Sequence, residues 1–127
     1  MIEATVNVRY MVDDVEAAVA WYTGHLGFTL LSNQAPAFAD VSRGALRLLL
    51  SGPTSSAGRP MPDGERPRPG GWNRIHLLVD DLPSEVARLR RTGAQFRNEI
   101  VTGPGGSQIL LVDPSGNLVE LFQPARR

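Results

Sequence analysis

A chain of 127 residues is one domain's worth and long enough to bury a core. Thirteen basic and thirteen acidic residues cancel, which argues against nucleic acid or a membrane surface as a charge-attracted partner. The lack of cysteine excludes disulfides, thiolate metal ligands and a cysteine nucleophile, and with no membrane-length apolar run or signal-peptide pattern a soluble, cytoplasmic protein is expected.

Residues 5–12 (TVNVRYMV) alternate as a half-buried strand does, with Val6, Val8, Tyr10 and Val12 on one face and Asn7, Arg9 and Met11 on the other. Asp13 and Asp14 then offer helix N-cap chemistry, with Glu16 in the first turn. Val15, Ala18, Val19, Tyr22 and Leu26 recur at helical spacing, and Gly24 and Gly27 are expected to end the run. Trp21 on this helix suits core packing or a subunit contact better than a ligand, and His25 at the helix end is expected to be exposed. Strands are expected at 28–32, 37–42 and 45–50, the last after an Arg43-Gly44 turn.

Residues 51–71 change character. They hold five of the ten prolines and five of the thirteen glycines with few apolar side chains, and read as a linker with some extended character. A connection this long is a spacer or a functional loop, and its place between two similar halves favours a spacer. The charged residues Arg59, Asp63, Glu65, Arg66 and Arg68 read as its solvated surface.

Residues 74–80 form the next strand, with Ile75, Leu77 and Val79 on one face and Arg74, His76 and Leu78 on the other. Asp81 and Pro83 mark a helix start, Leu82, Val86 and Leu89 its buried stripe, and Gly93 its end. Glu85, Arg88, Arg90 and Arg91 read as its solvated face. Strands at about 95–102 and 107–112 lead to a tight turn at 113–117 (DPSGN) and a last strand over 118–123.

The two halves are one phrase written twice. YMVDDVEAAVAWY at 10–22 matches LLVDDLPSEVARL at 77–89, an offset of 67 residues from Asp14 to Asp81. The expected fold class is α+β: two tandem βαβββ modules forming a curved mixed sheet around a cleft. The modules span about 4–50 and about 73–124 of a single domain, joined by the linker at 51–72.

This doubled plan resembles the vicinal oxygen chelate superfamily, the glyoxalase/bleomycin resistance protein/extradiol dioxygenase group. VRYMVDDVEAAVAWYTGHLGF carries the likeness in the first half, and VDDLPSEVARLRRTGAQF with DPSGNLVELFQP in the second. The resemblance implies a cleft often completed by a second subunit. It also implies, for the enzymes of the group, a metal held by His, Glu or Gln on the first strand of each module and a carboxylate on the last. Counting back seven residues from Asp14 and Asp81 puts the first-strand positions at Asn7 and Arg74; the last-strand positions fall at Glu120 and near Leu48.

Only Glu120 of these four is a good ligand. Leu48 has no lone pair, the amide of Asn7 is a weak donor, and a permanent cation such as Arg74 repels a metal and can pair with Glu120 instead. No cofactor is therefore expected. The candidate ligand-binding residues are Asn7, Arg9, Met11, Phe38, Leu46, Leu48, Leu50, Trp72, Arg74, His76, Glu120 and Phe122, with Asp40 beside them. Either sheet face could claim Phe38, and Trp72 on its Gly70-Gly71 hinge suits a lid or an interface. His76 reads as a pocket wall before it reads as a displaced ligand or a general base.

Aromatic and aliphatic walls with a few polar anchors suit a flat, mainly apolar ligand. By resemblance, the first reading is a metal-free drug-binding resistance protein, a homodimer with clefts at the subunit interface that sequesters an aromatic natural product. The alternative is a lyase, isomerase or dioxygenase using a divalent metal, or an acid/base pair at Glu120 and His76.

Overall fold

The computed structural model describes residues 6–126. The chain divides into two compact units, Met1–Gly70 and Gly71–Arg127, each holding one copy of the repeat. Among the described residues no helix is long and apolar enough to cross a membrane.

The first unit runs β1 (Val6–Met11), α1 (Val15–Leu26), β2 (Thr29–Gln34), β3 (Phe38–Arg43) and β4 (Leu46–Ser51). Its sheet has the order β1-β4-β3-β2, with β1 parallel to β4 and the other pairs antiparallel. The β1 to β4 pairing is the crossover that α1 makes possible. Asp14 caps α1 by accepting the Ala17 amide at 3.1 Å, and Gly27 ends it with φ of 69°. Gly24, expected as a stop, lies inside the helix. The buried face of α1, including Val15, Ala18, Val19, Tyr22 and Leu26, shares the core with Tyr10, Val12, Ala39, Val41, Leu48 and Leu50. Trp21 and Tyr22 meet edge to face at 4.8 Å and Tyr22 and Phe28 at 5.5 Å, which places Trp21 in the core. His25 is half-buried beside Trp21, not exposed.

The strand register overturns one expectation. Val6 pairs with Leu46, Val8 with Leu48 and Tyr10 with Leu50. Cross-strand partners share a sheet face, so Leu46, Leu48 and Leu50 lie on the helix side with Tyr10. Leu48 and Leu50 have no exposed surface at all. They are core residues, and the open face of β4 is Arg47, Leu49 and Ser51, opposite Asn7, Arg9 and Met11.

The segment after β4 is less of a spacer than its composition implies. Gly52 donates its amide to Ala37 at 2.8 Å, and a single 3-10 turn at Ser56–Gly58 is capped by the buried Ser55. A Cβ on Gly52 would stand 2.4 Å from the Pro36 carbonyl oxygen, so this glycine is required by close approach of backbone. The stretch from 51 to 58 thus belongs to the first unit.

The second unit repeats the order with β5 (Ile75–Leu78), α2 (Leu82–Arg91), β6 (Gln95–Phe96), β7 (Val101–Gly103), β8 (Gly106–Val112) and β9 (Leu118–Pro124). Its sheet runs β5-β9-β8-β6, with β7 also paired to β8. Parallel β5 and β9 match β1 and β4. Asp81 caps α2 through the Ser84 amide at 3.2 Å and hydroxyl at 2.8 Å. Leu82, Val86 and Leu89 are buried, as are Ile75, Leu77, Ile109, Leu111, Val119 and Leu121 of the sheet.

The strand expected over 95–102 is broken into β6 and β7. Between them the Arg97 amide still donates to the Leu110 carbonyl at 2.8 Å, while the Leu110 amide turns to the Asn98 side chain at 2.9 Å. A side chain has replaced a backbone acceptor, and the ladder restarts beyond it. Each module carries its own mixed sheet, of four strands in the first unit and five in the second. The α+β class and the tandem modules stand.

Candidate functional site

The helix side of each sheet is filled by core, so the opposite face is where polar chemistry collects. On the second unit the register sets His76 beside Glu120 and Leu78 beside Phe122. Glu120 is 6% exposed, and a carboxylate so buried needs partners. Arg74 supplies them: its Nε and Nη2 both reach Glu120 Oε1, at 3.0 and 2.9 Å. The other oxygen, Oε2, faces His76 Nε2 at 3.4 Å. The His76 and Phe122 rings lie 4.8 Å apart at 35°, and Arg74 Nη1 donates to the Trp72 carbonyl at 3.2 Å. Trp72, Arg74, His76, Glu120 and Phe122 therefore form one connected strip.

At the end of that strip lies an open concavity of 260 Å³ lined by Gly71, Trp72, Arg97, Val112, Gly116 and Leu118. Trp72 is 63% exposed, and the Arg97 guanidinium is 5.3 Å from its ring centroid. Arg97, Val112 and Leu118 were not among the sequence candidates. Arg97 is invisible to periodicity because it falls in the break between β6 and β7.

The open face of the first unit is also polar. Arg9 Nη1 donates to Ser51 Oγ at 2.9 Å. Asp40, buried, accepts Arg47 Nε at 2.7 Å and a short hydrogen bond from the Ser32 hydroxyl. Phe38 pairs with Ser51 and Gln34, which puts it on this face with Asp40, Asn7, Arg9 and Met11. Sequence reasoning missed Arg47, although a lone arginine in ALRLLL was a signal that one face of β4 is not core.

Burial raises the Asp40 pKa, but the Ser32 hydroxyl and the Arg47 guanidinium outweigh it and hold the carboxyl below its ordinary value. A lowered folded pKa stabilises the protein above the unfolded value and loses that contribution as pH falls through the folded one. Urea unfolding at a series of pH values below about 5 should show a steeper acid loss for the wild type than for Asp40→Asn.

The donor set does not fit a divalent metal. Leu48 is core, and Leu49, which takes its place on the open face, has no donor atom. Arg74 is a cation, and it and His76 engage both oxygens of Glu120. Among the described residues no three His, Asp or Glu side chains come together where they could hold an ion.

The fold and this doubled site plan define a class. The sequence profile of the Glyoxalase/Bleomycin resistance protein/Dioxygenase superfamily matches residues 5–121, and the chain belongs to that superfamily. Similar solved structures include TnmS3, an antibiotic binding protein from Streptomyces sp. CB03234. It is 27% identical with a TM-score of 0.74, over 98% of either chain. A superfamily member from Sphaerobacter thermophilus DSM 20745 is 26% identical at TM-score 0.76, over 96% of this chain and 98% of its own. Lactoylglutathione lyase from Agrobacterium tumefaciens, at 21% identity and TM-score 0.76 over 97% and 95%, shares the fold. No curated protein matches the chain in sequence.

Proposed function

We propose that this protein binds and sequesters a hydrophobic aromatic small molecule, an antibiotic of bleomycin-, mitomycin- or enediyne-like character, without a metal, for self-protection or resistance. The observation that carries this reading is the Arg74–Glu120–His76 cluster: the best metal-ligand candidate of the four positions is neutralised from within the protein. Beside it, Trp72, Phe122 and His76 offer ring surface for stacking, and Leu78 is exposed at 62%. Similarity to an antibiotic binding protein at 27% identity supports the same reading. The protein acts as a homodimer, the symmetric assembly that two equivalent sites favour.

A second reading rests on the 3.4 Å approach of His76 to Glu120, an acid/base pair for a lyase or isomerase step. One experiment separates the two. Titration with aromatic antibiotics should quench the exposed Trp72 and raise Tm, a ligand at a hundred times its Kd adding about 2.7 kcal/mol. Mass spectrometry should then recover the ligand intact. A chemically altered product would establish the enzyme reading, and the absence of both quenching and thermal shift across the panel would overturn sequestration.

A further inference from the structure

We propose that the concavity beside Trp72 selects planar aromatic ligands that carry an anionic substituent, a carboxylate or a phenolate, with Arg97 as the counter-charge. This deepens the sequestration reading and rests on it. Of the lining residues Gly71, Trp72, Arg97, Val112, Gly116 and Leu118, Arg97 alone is charged. It forms no ion pair among the described residues, and the two glutamates close to it in sequence or on the same face pair with other arginines. Glu99 pairs with Arg90 at 3.0 Å, and Glu120 pairs with Arg74. Asp113 accepts from the Ser115 and Asn117 amides at 2.8 and 2.9 Å and from the Asn117 side chain at 3.1 Å. Arg97 is therefore the one charged side chain in the lining of the concavity.

The geometry suits a flat ring. Val112 and Leu118 are cross-strand partners and give an aliphatic floor. Gly71 and Gly116 have no side chains to hold a ring away from the backbone. Trp72 supplies an exposed indole, and the guanidinium of Arg97, a planar array of donors, lies against it. At 260 Å³ the space is slightly below the roughly 300–1,000 Å³ that encloses a whole drug-sized ligand, so it takes the acidic ring system of a larger molecule. The same charge disfavours cationic ligands, and this narrows the antibiotic class.

Calorimetric titration of the whole protein with anthraquinone-2-carboxylate and its neutral carboxamide tests the assignment, with the indole N–H NMR shifts of Trp72 and Trp21 as reporters. The carboxylate should bind about five times more tightly than the amide at low salt, the scale of an exposed ion pair of about 1 kcal/mol. The preference should shrink in high salt. Arg97→Gln should bring carboxylate affinity down to that of the amide, and Arg97→Lys should keep part of the difference. The Trp72 resonance should move on binding while the buried Trp21 resonance stays. Equal affinity for both probes, or a preference that survives Arg97→Gln, would overturn the charge assignment and leave sequestration standing. Antibiotic binding with no movement of the Trp72 resonance would overturn the location. Failure of every aromatic compound to bind would overturn sequestration itself.

Discussion

Leu48→Ala is expected to cost about 2–5 kcal/mol in stability, the range for removing a buried leucine side chain. Leu49→Ala, one residue away, should cost less than half as much. Leu48 has no exposed surface and shares the helix side of the sheet with Val41 and Tyr10, whereas Leu49 is half-buried on the open face beside Arg9 and Asp40. The two substitutions delete the same atoms, so a difference in urea midpoint reports the face alone. A larger loss for Leu49→Ala than for Leu48→Ala would mean that β4 is phased the other way and that Leu48 lies on the open face.

Arg74→Ala should destabilise by about 1–3 kcal/mol, less than the 3–5 kcal/mol typical of breaking a fully buried pair. The reduction follows from solvent: the Arg74 side chain is 29% exposed and the Glu120 side chain 8%. What remains is the penalty of a buried carboxylate left with a single imidazole partner at 3.4 Å. Adding Glu120→Leu to Arg74→Ala should recover most of the loss, because removing both charges removes the unpaired one. A double-mutant cycle in thermal or urea unfolding measures this coupling. A neutral Arg74→Ala would show that the ion pair is a surface contact and that Glu120 is not held by Arg74 against a metal.

Much of the architecture was legible because it was written twice. The Val-Asp-Asp phrase located both helix caps, and counting back from it leads to Asn7, opposite Arg47 on β4, and to Arg74, which pairs with Glu120. The last strand of each unit has no such marker. In β9 the single charge of LVELF sets the phase, since burial with Arg74 is the simplest place for Glu120. In β4 the run LRLLL is apolar on both faces, and a slip of one residue exchanges them. That is why Leu46, Leu48 and Leu50 were assigned to the ligand face while Arg47 was overlooked. Arg97 was hidden for a different reason. Its position depends on Asn98 replacing a backbone acceptor, a tertiary event with no periodic signature.

The interruption between β6 and β7 has a consequence for solubility. An outer strand normally offers a row of free amides and carbonyls on which another chain can polymerise. On the second sheet the β6/β7 edge is cut into pieces of two and three residues, and on the first sheet the β2 edge is offset by a bulge between Leu30 and Ser32. Neither the β6/β7 edge nor the β2 edge presents a long, regular template. These two edges therefore resist strand addition and fibre growth at high expression.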